Sequence, residues 1–234
     1  VWGYGLPYTK ILQRIRGISG NNGTANTLGG GTEAYIVPSS TMDMAEFSKM
    51  IVEEQYDDTT SQTSETFSAY DLSKVTALKT AIDNFAKTVN QTTLEGIRGT
   101  SSAVAMNYMS GYGWSNYPFF DIYDLMRKYN TTASNAVLSA LDAVILSSFG
   151  GSSYYNVNDS TIFVNNKNGM HIVFPKSGYA SYFGWYSPVS VVSNNSYGKL
   201  SFCSGGTEGN STVESWFEMV DKWYDNTSFR TKGY

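Results

Sequence analysis

The chain has 234 residues, 41% hydrophobic and 15% aromatic, enough apolar material for one large domain, or a small one plus part of another, and too much for a disordered segment. Charged residues make up only 15% and the net charge is −4, with no cluster of Lys and Arg, which excludes a nucleic-acid partner. The single cysteine, Cys203, excludes an internal disulfide, and no apolar run approaches the ~18 residues of a membrane span.

From the start, Pro7 suits a first helical position. Tyr8, Ile11, Leu12 and Ile15 form a helical stripe that Gly17 can end, with Lys10, Arg14 and Arg16 toward the negative pole of the helix dipole. The Gly/Asn stretch Gly17 to Gly31 reads as a loop. Ser40 can cap a helix carrying Met44, Phe47, Met50 and Ile51, with Asp43 and Glu46 near its start. Thr59 to Ser64 is a polar break and the expected internal boundary. Thr66 to Tyr70 reads as a short strand feeding a helix capped by Asp71, whose Val75, Leu78, Ile82, Phe85 and Val89 make one buried stripe.

Two more helices follow, Asp121 to Tyr129 and about Ala133 to Leu146, the second with Val137, Leu138, Leu141, Val144 and Ile145 inward. Beyond Gly150–Gly151 the pattern turns to strands at Tyr154–Val157, Thr161–Val164 and Met170–Phe174, the last apolar enough to be buried on both faces. A final helix starts from a capping box of Ser211 with Glu214 and buries Val213, Trp216, Phe217, Val220 and Trp223. Strands interleaved with helices predict an α/β or α+β layered architecture.

Little of this supplies chemistry. His171, the one histidine, falls in a buried strand and reads as a hydrogen-bonded structural residue, and Cys203 as a small buried one. A His171–Cys203 dyad stays open as the lesser reading, because only spatial proximity decides it. Asp121 and Asp124 sit where helix-dipole stabilisation explains them, Asp57–Asp58 is a bare acidic pair, and Asn156 to Ser160 lacks the acids and glycine of a calcium loop. Gly29-Gly30-Gly31 has no Lys-Ser/Thr after it to make a phosphate loop. No metal site, cofactor or complete catalytic site is expected within the chain. The Asn-x-Ser/Thr sequons, Asn22, Asn90 and Asn130 among them, are no more than this composition produces by chance. Low charge and abundant Tyr, Ser and Asn suit an exported protein. The opening at Val1, with no initiator Met or leader, suggests a fragment or processed product.

Five segments, in order, resemble the later part of the clostripain family of cysteine peptidases. They are Gly5-Leu6-Pro7-Tyr8 leading into Ile11-Leu12, Phe67 to Lys74 (FSAYDLSK), Phe120 to Met126 (FDIYDLM), Gly169 to Pro175 (GMHIVFP), and Leu200-Ser201-Phe202 followed by the Trp216 helix. The resemblance implies an α/β fold, the end of a caspase-like, mostly parallel sheet core over 1–58 plus a C-terminal α/β extension over 59–234. It places the catalytic histidine and cysteine before Val1, and puts His171 and Cys203 where relatives carry a serine or similar small residue. The implied role is the C-terminal chain of an endopeptidase cleaving after Arg or Lys, secreted or on a bacterial surface. Its partners would be the preceding part of the same peptidase and a protein or peptide substrate. Trp2 and Tyr4 are the residues it places near the specificity pocket; packing at a chain end explains them equally well. A catalytically inactive relative, acting as a surface or carbohydrate-binding module, is the alternative.

Overall fold

The computed structural model describes residues 8, 11–12, 26–28, 31–33, 43–58, 66–98, 119–150, 163–174, 200–203 and 212–224. They form six strands and six helices: β1 (Asn26–Leu28), β2 (Gly31–Glu33), α1 (Met44–Asp58), β3 (Thr66–Tyr70), α2 (Val75–Ala86), α3 (Gln91–Arg98), β4 (Phe119–Asp121), α4 (Ile122–Tyr129), α5 (Thr132–Val144), β5 (Ile145–Gly150), β6 (His171–Val173) and α6 (Trp216–Tyr224). Tyr8, Ile11 and Leu12 are helical as well, with Ile11 buried and its two neighbours exposed.

The architecture is mixed α/β, and the described strands pair antiparallel: β1 with β2, β3 with β5, β4 with β6. A mostly parallel caspase-like sheet is not found among the described residues. The β1–β2 pair also corrects the loop expected over Gly17 to Gly31. Leu28 faces Gly31 across Gly29-Gly30, a two-glycine spacing that suits a tight hairpin.

Two compact units emerge. The first contains residues 1–72, 142–155 and 162–170. Here α1 lies on the β3–β5 pair through Val52, Ala69 and Phe149, and Tyr56 stacks on Phe149 with ring centroids 5.0 Å apart. Helix α1 starts from Asp43 rather than Ser40. The Glu46 amide donates to Asp43 Oδ1 (2.8 Å) and the Asp43 amide to Glu46 Oε2 (3.0 Å), a capping box made with an aspartate. That start leaves Met44 exposed and turns Met50 and Val52 inward. The register between β3 and β5 slips after Ala69, which faces Ser147 while Tyr70 faces Ile145, so β5 carries one extra residue, Leu146.

A second strand-like edge is built from side chains. The Asn166 amide donates to the Ser148 carbonyl (2.7 Å), and the Ser148 amide donates back to Asn166 Oδ1 (2.9 Å). The Gly150 amide donates to Asn165 Oδ1, and Ser148 Oγ to the Asn168 carbonyl. Asn168 folds its own turn by accepting the Val164 amide at 2.7 Å. The segment closes on Gly169, whose φ of +125° and close approach to Ser68 leave no room for a Cβ. Tyr70 Oη donates to the Gly169 carbonyl at 2.6 Å. Of the expected strand Thr161–Val164, Phe163 and Val164 lie outside any strand, while Tyr154–Val157 falls outside the described residues.

The second unit contains residues 73–141, 156–161 and 171–234. Asp71 does not cap α2 directly. A single 3-10 turn, Leu72–Lys74, intervenes, and the Asp71 amide, which still belongs to the first unit, donates to the Val144 carbonyl of that unit. Leu78, Ile82 and Phe85 form the buried stripe of α2, and Val75 and Val89 are half-buried at its ends. Phe85 meets Tyr129 edge-on (5.0 Å) and stacks on Trp216 (6.4 Å), while Phe174 meets Phe120 and Trp216. Helix α4 runs as its sequence predicts. Asp121 Oδ1 accepts the Asp124 amide at 2.9 Å, and Asn130, at φ +51°, closes the C-terminal end by donating to the Met126 carbonyl.

Candidate functional site

Strand β6 is short, and its pairing places Asp121 opposite His171, Phe120 opposite Ile172 and Phe119 opposite Val173. Ile172, Val173 and Phe174 are buried, but His171 is exposed, which corrects its reading as a buried residue. The Phe119 ring lies edge-on to the imidazole, with centroids 5.3 Å apart. Although part of His171 is open to solvent, packing by neighbouring groups, the Phe119 ring among them, removes enough water from the imidazole to disfavour its charged form and hold its pKa below the ordinary histidine value.

Cys203 ends the 3-10 turn Ser201–Cys203, its amide donating to the Leu200 carbonyl at 2.8 Å. The residue is fully buried. A nucleophilic sulfur must reach a substrate carbonyl, and this one is closed to solvent. The sequence offered His171 and Cys203 as a dyad; the structure gives an exposed imidazole and a core thiol, which is not an open catalytic site.

Of the acidic candidates, Asp121 and Asp124 are spoken for. Asp121 caps α4, and Asp124, also buried, pairs with Arg127 Nη2 at 2.7 Å and Lys128 Nζ at 3.4 Å in the last turn of the same helix. Asp57 and Asp58 close α1, and Asn156 to Ser160 lies outside the described residues, as do Trp2 and Tyr4. Among the described residues no group of three His, Cys, Asp or Glu is placed to hold a metal ion, and no helix is long and apolar enough to cross a membrane.

Sequence reasoning missed the start of α6. The capping box is Ser215 with Glu218, four residues later than Ser211 with Glu214. Glu218 Oε2 accepts the amides of Glu214 (2.7 Å) and Ser215 (3.0 Å), and Ser215 Oγ accepts the Glu218 amide at 3.2 Å. The Trp216 amide donates to Asp83 Oδ1 of α2 at 3.1 Å, and Asp83 also pairs with Lys79. The Trp216 indole donates to the Val173 carbonyl of β6 at 2.9 Å, inside the core. One tryptophan thus ties α6 to both a helix and a strand. The available signal was the repeated Ser-x-x-Glu in Ser211 to Glu218, which offers two boxes in tandem.

Among the described residues the buried cysteine and the exposed histidine make no site of their own, and the relatives of the chain place it instead. It belongs to the clostripain family of cysteine peptidases, whose model matches residues 1–223. It is 33% identical over 269 aligned residues to clostripain of Hathewaya histolytica, an alignment covering all of this chain and 49% of that protein. The chain therefore spans about half the length of the curated relative it matches.

Proposed function

We propose that this chain is the C-terminal part of a clostripain-like cysteine endopeptidase cleaving after Arg or Lys. The observation that supports this most is the family match running almost end to end while covering only half of the relative. In this reading residues 1–58 close a caspase-like core and 59–234 form the extension. The catalytic histidine and cysteine, and the parallel strands, come from polypeptide preceding Val1. Thiolate attack on the carbonyl after Arg or Lys, with histidine protonating the leaving amine, takes place there. Trp2 and Tyr4 line the specificity pocket. The low charge and the many Tyr, Ser and Asn residues support a secreted or surface location.

The test compares this chain alone with the same chain produced together with the polypeptide preceding it. Peptides carrying Arg or Lys should be cleaved only by the combined protein, and a thiol alkylator should stop the reaction. Trp2→Ala and Tyr4→Ala should raise KM more than they lower kcat. Alkylator-sensitive hydrolysis by the 234-residue chain alone would overturn the proposal, as would a combined protein inert toward such peptides.

A further inference from the structure

The chain holds two Asn-Gly pairs, Asn22-Gly23 and Asn168-Gly169, and the second closes the turn that borders β5. Asparagine is a chemically labile residue, most of all before glycine, where no Cβ shields the next amide nitrogen. In the reaction that nitrogen attacks the asparagine Cγ and gives up its proton, the Cγ–Nδ2 bond breaks, and ammonia leaves. Water then opens the succinimide ring at either carbonyl, giving aspartate or isoaspartate. At Asn168 the fold holds every group involved. Asn168 Oδ1 accepts the Val164 amide at 2.7 Å, and the Asn168 amide donates to the Val164 carbonyl at 3.0 Å. The Asn168 carbonyl accepts Ser148 Oγ, and the Gly169 carbonyl accepts Tyr70 Oη at 2.6 Å. Ring closure needs one aligned approach of Cγ to nitrogen, and these four bonds fix both the carboxamide and the backbone on either side of it. Water must also reach Asn168, which is only 1% exposed. All of these partners belong to the first unit.

We propose that Asn168-Gly169 is a latched deamidation site: closed in the folded first unit, it loses ammonia only when the turn over 163–169 opens, and the product does not close again. The rate then follows the open population of the turn rather than the intrinsic chemistry of the dipeptide. Aspartate places a charge where the fold buries a neutral amide. Isoaspartate routes the chain through Cγ, which adds one methylene to the backbone before Gly169. It also turns the carbonyl that Ser148 holds into a pendant carboxylate. Either product makes a reversible opening permanent, so the turn keeps a record of each excursion of the first unit.

The experiment incubates the full-length protein in mildly alkaline buffer over a urea series, from none to fully denaturing, and maps amide-to-acid conversion by peptide mass spectrometry. In denaturing urea Asn168 and Asn22 should convert at comparable rates. Without urea, conversion at Asn168 should be at least ~10-fold slower than in the denatured chain. Tyr70→Phe, which releases the Gly169 carbonyl, should speed conversion at Asn168 by ~2–10-fold at urea concentrations below the unfolding midpoint. Asn168→Asp, the aspartate product made directly, should lower that midpoint. Equal rates at Asn168 with and without urea would overturn the proposal. So would an Asn168 inert in urea while Asn22 converts, a Tyr70→Phe rate equal to wild type, or an Asn168→Asp midpoint equal to wild type. Should Tyr70→Phe fail to fold, the wild-type urea series and Asn168→Asp decide the matter by themselves.

Discussion

Gly169→Ala tests the most constrained backbone position in the described structure. The substitution asks an L-residue to hold φ of +125°, and it drives a Cβ into Ser68 Oγ and toward the Ser148 Cβ. Backbone strain of this kind costs ~1–3 kcal/mol. Overpacking against the Ser68 side chain adds ~1–3 kcal/mol. The two together should remove at least ~2 kcal/mol from a domain whose whole stability is ~5–15 kcal/mol. At ~2–4 °C per kcal/mol for a chain of this size, the melting temperature should fall by at least ~4 °C. A double-mutant cycle separates the causes. Ser68→Gly opens the space and leaves φ as it is, so in the Ser68→Gly background Gly169→Ala should cost only the strain, with a coupling of ~1–3 kcal/mol between the sites. Urea melts at fixed pH supply all four free energies. A single mutant within ~0.5 kcal/mol of wild type, the range of ordinary surface changes, would refute the argument from space and φ together. Additive effects in the cycle would refute the clash alone.

Cys203→Ser should leave any peptidase activity of the complete protein, as proposed above, intact while lowering its stability, because a hydroxyl replaces a fully buried thiol; a large loss of kcat with normal folding would show that the sulfur takes part. Trp216→Phe keeps an aromatic ring against Phe85 and Phe174 but removes the buried indole donor to the Val173 carbonyl, so urea unfolding should report a loss of ~1–3 kcal/mol. For His171, a pKa lowered on folding gives stability that is present above the unfolded value, ~6.5, and is lost as pH falls through the folded one. His171→Phe should therefore flatten the decline in melting temperature below about pH 6.5, and an unchanged slope would count against this.

Much of the fold was legible where the sequence signals were local. Asp121 and Asn130 bracket α4 with a cap at each end, and the stripe of α2 follows from the spacing of Leu78, Ile82 and Phe85. The failures share a cause: a signal was present twice, or none marked the change. Helix α5 gives way to β5 between Val144 and Ile145 with no glycine or proline, so an apolar helix pattern runs on into a strand whose formation depends on β3, some 75 residues away. The tandem Ser-x-x-Glu boxes before α6 are indistinguishable locally, and the acceptor Asp83, far off in sequence, favours the second by taking the Trp216 amide. Helix α3 went unread although Asn90 caps it by accepting the Thr93 amide, because Val89 looked like the last member of the preceding stripe. His171 shows the limit for a site. Alternation placed it opposite Ile172 correctly, but whether that opposite face was covered depended on residues distant in sequence.

The asparagine-lined segment along β5 has a consequence for how the sheet can grow. An exposed strand edge is a template that any other strand can join, whether from the same protein or from a second copy. From Ser148 to Gly150 that template is already occupied by side-chain amides, and by one backbone amide at Asn166, which fill the hydrogen-bonding positions of a strand without continuing as one. Side-chain amides offer no further ladder on their outer side, so along this stretch they act as a selvedge: polymerisation by edge addition ends there. An added strand must pair elsewhere, and removing Asn165 and Asn166 would turn a finished border back into an open one.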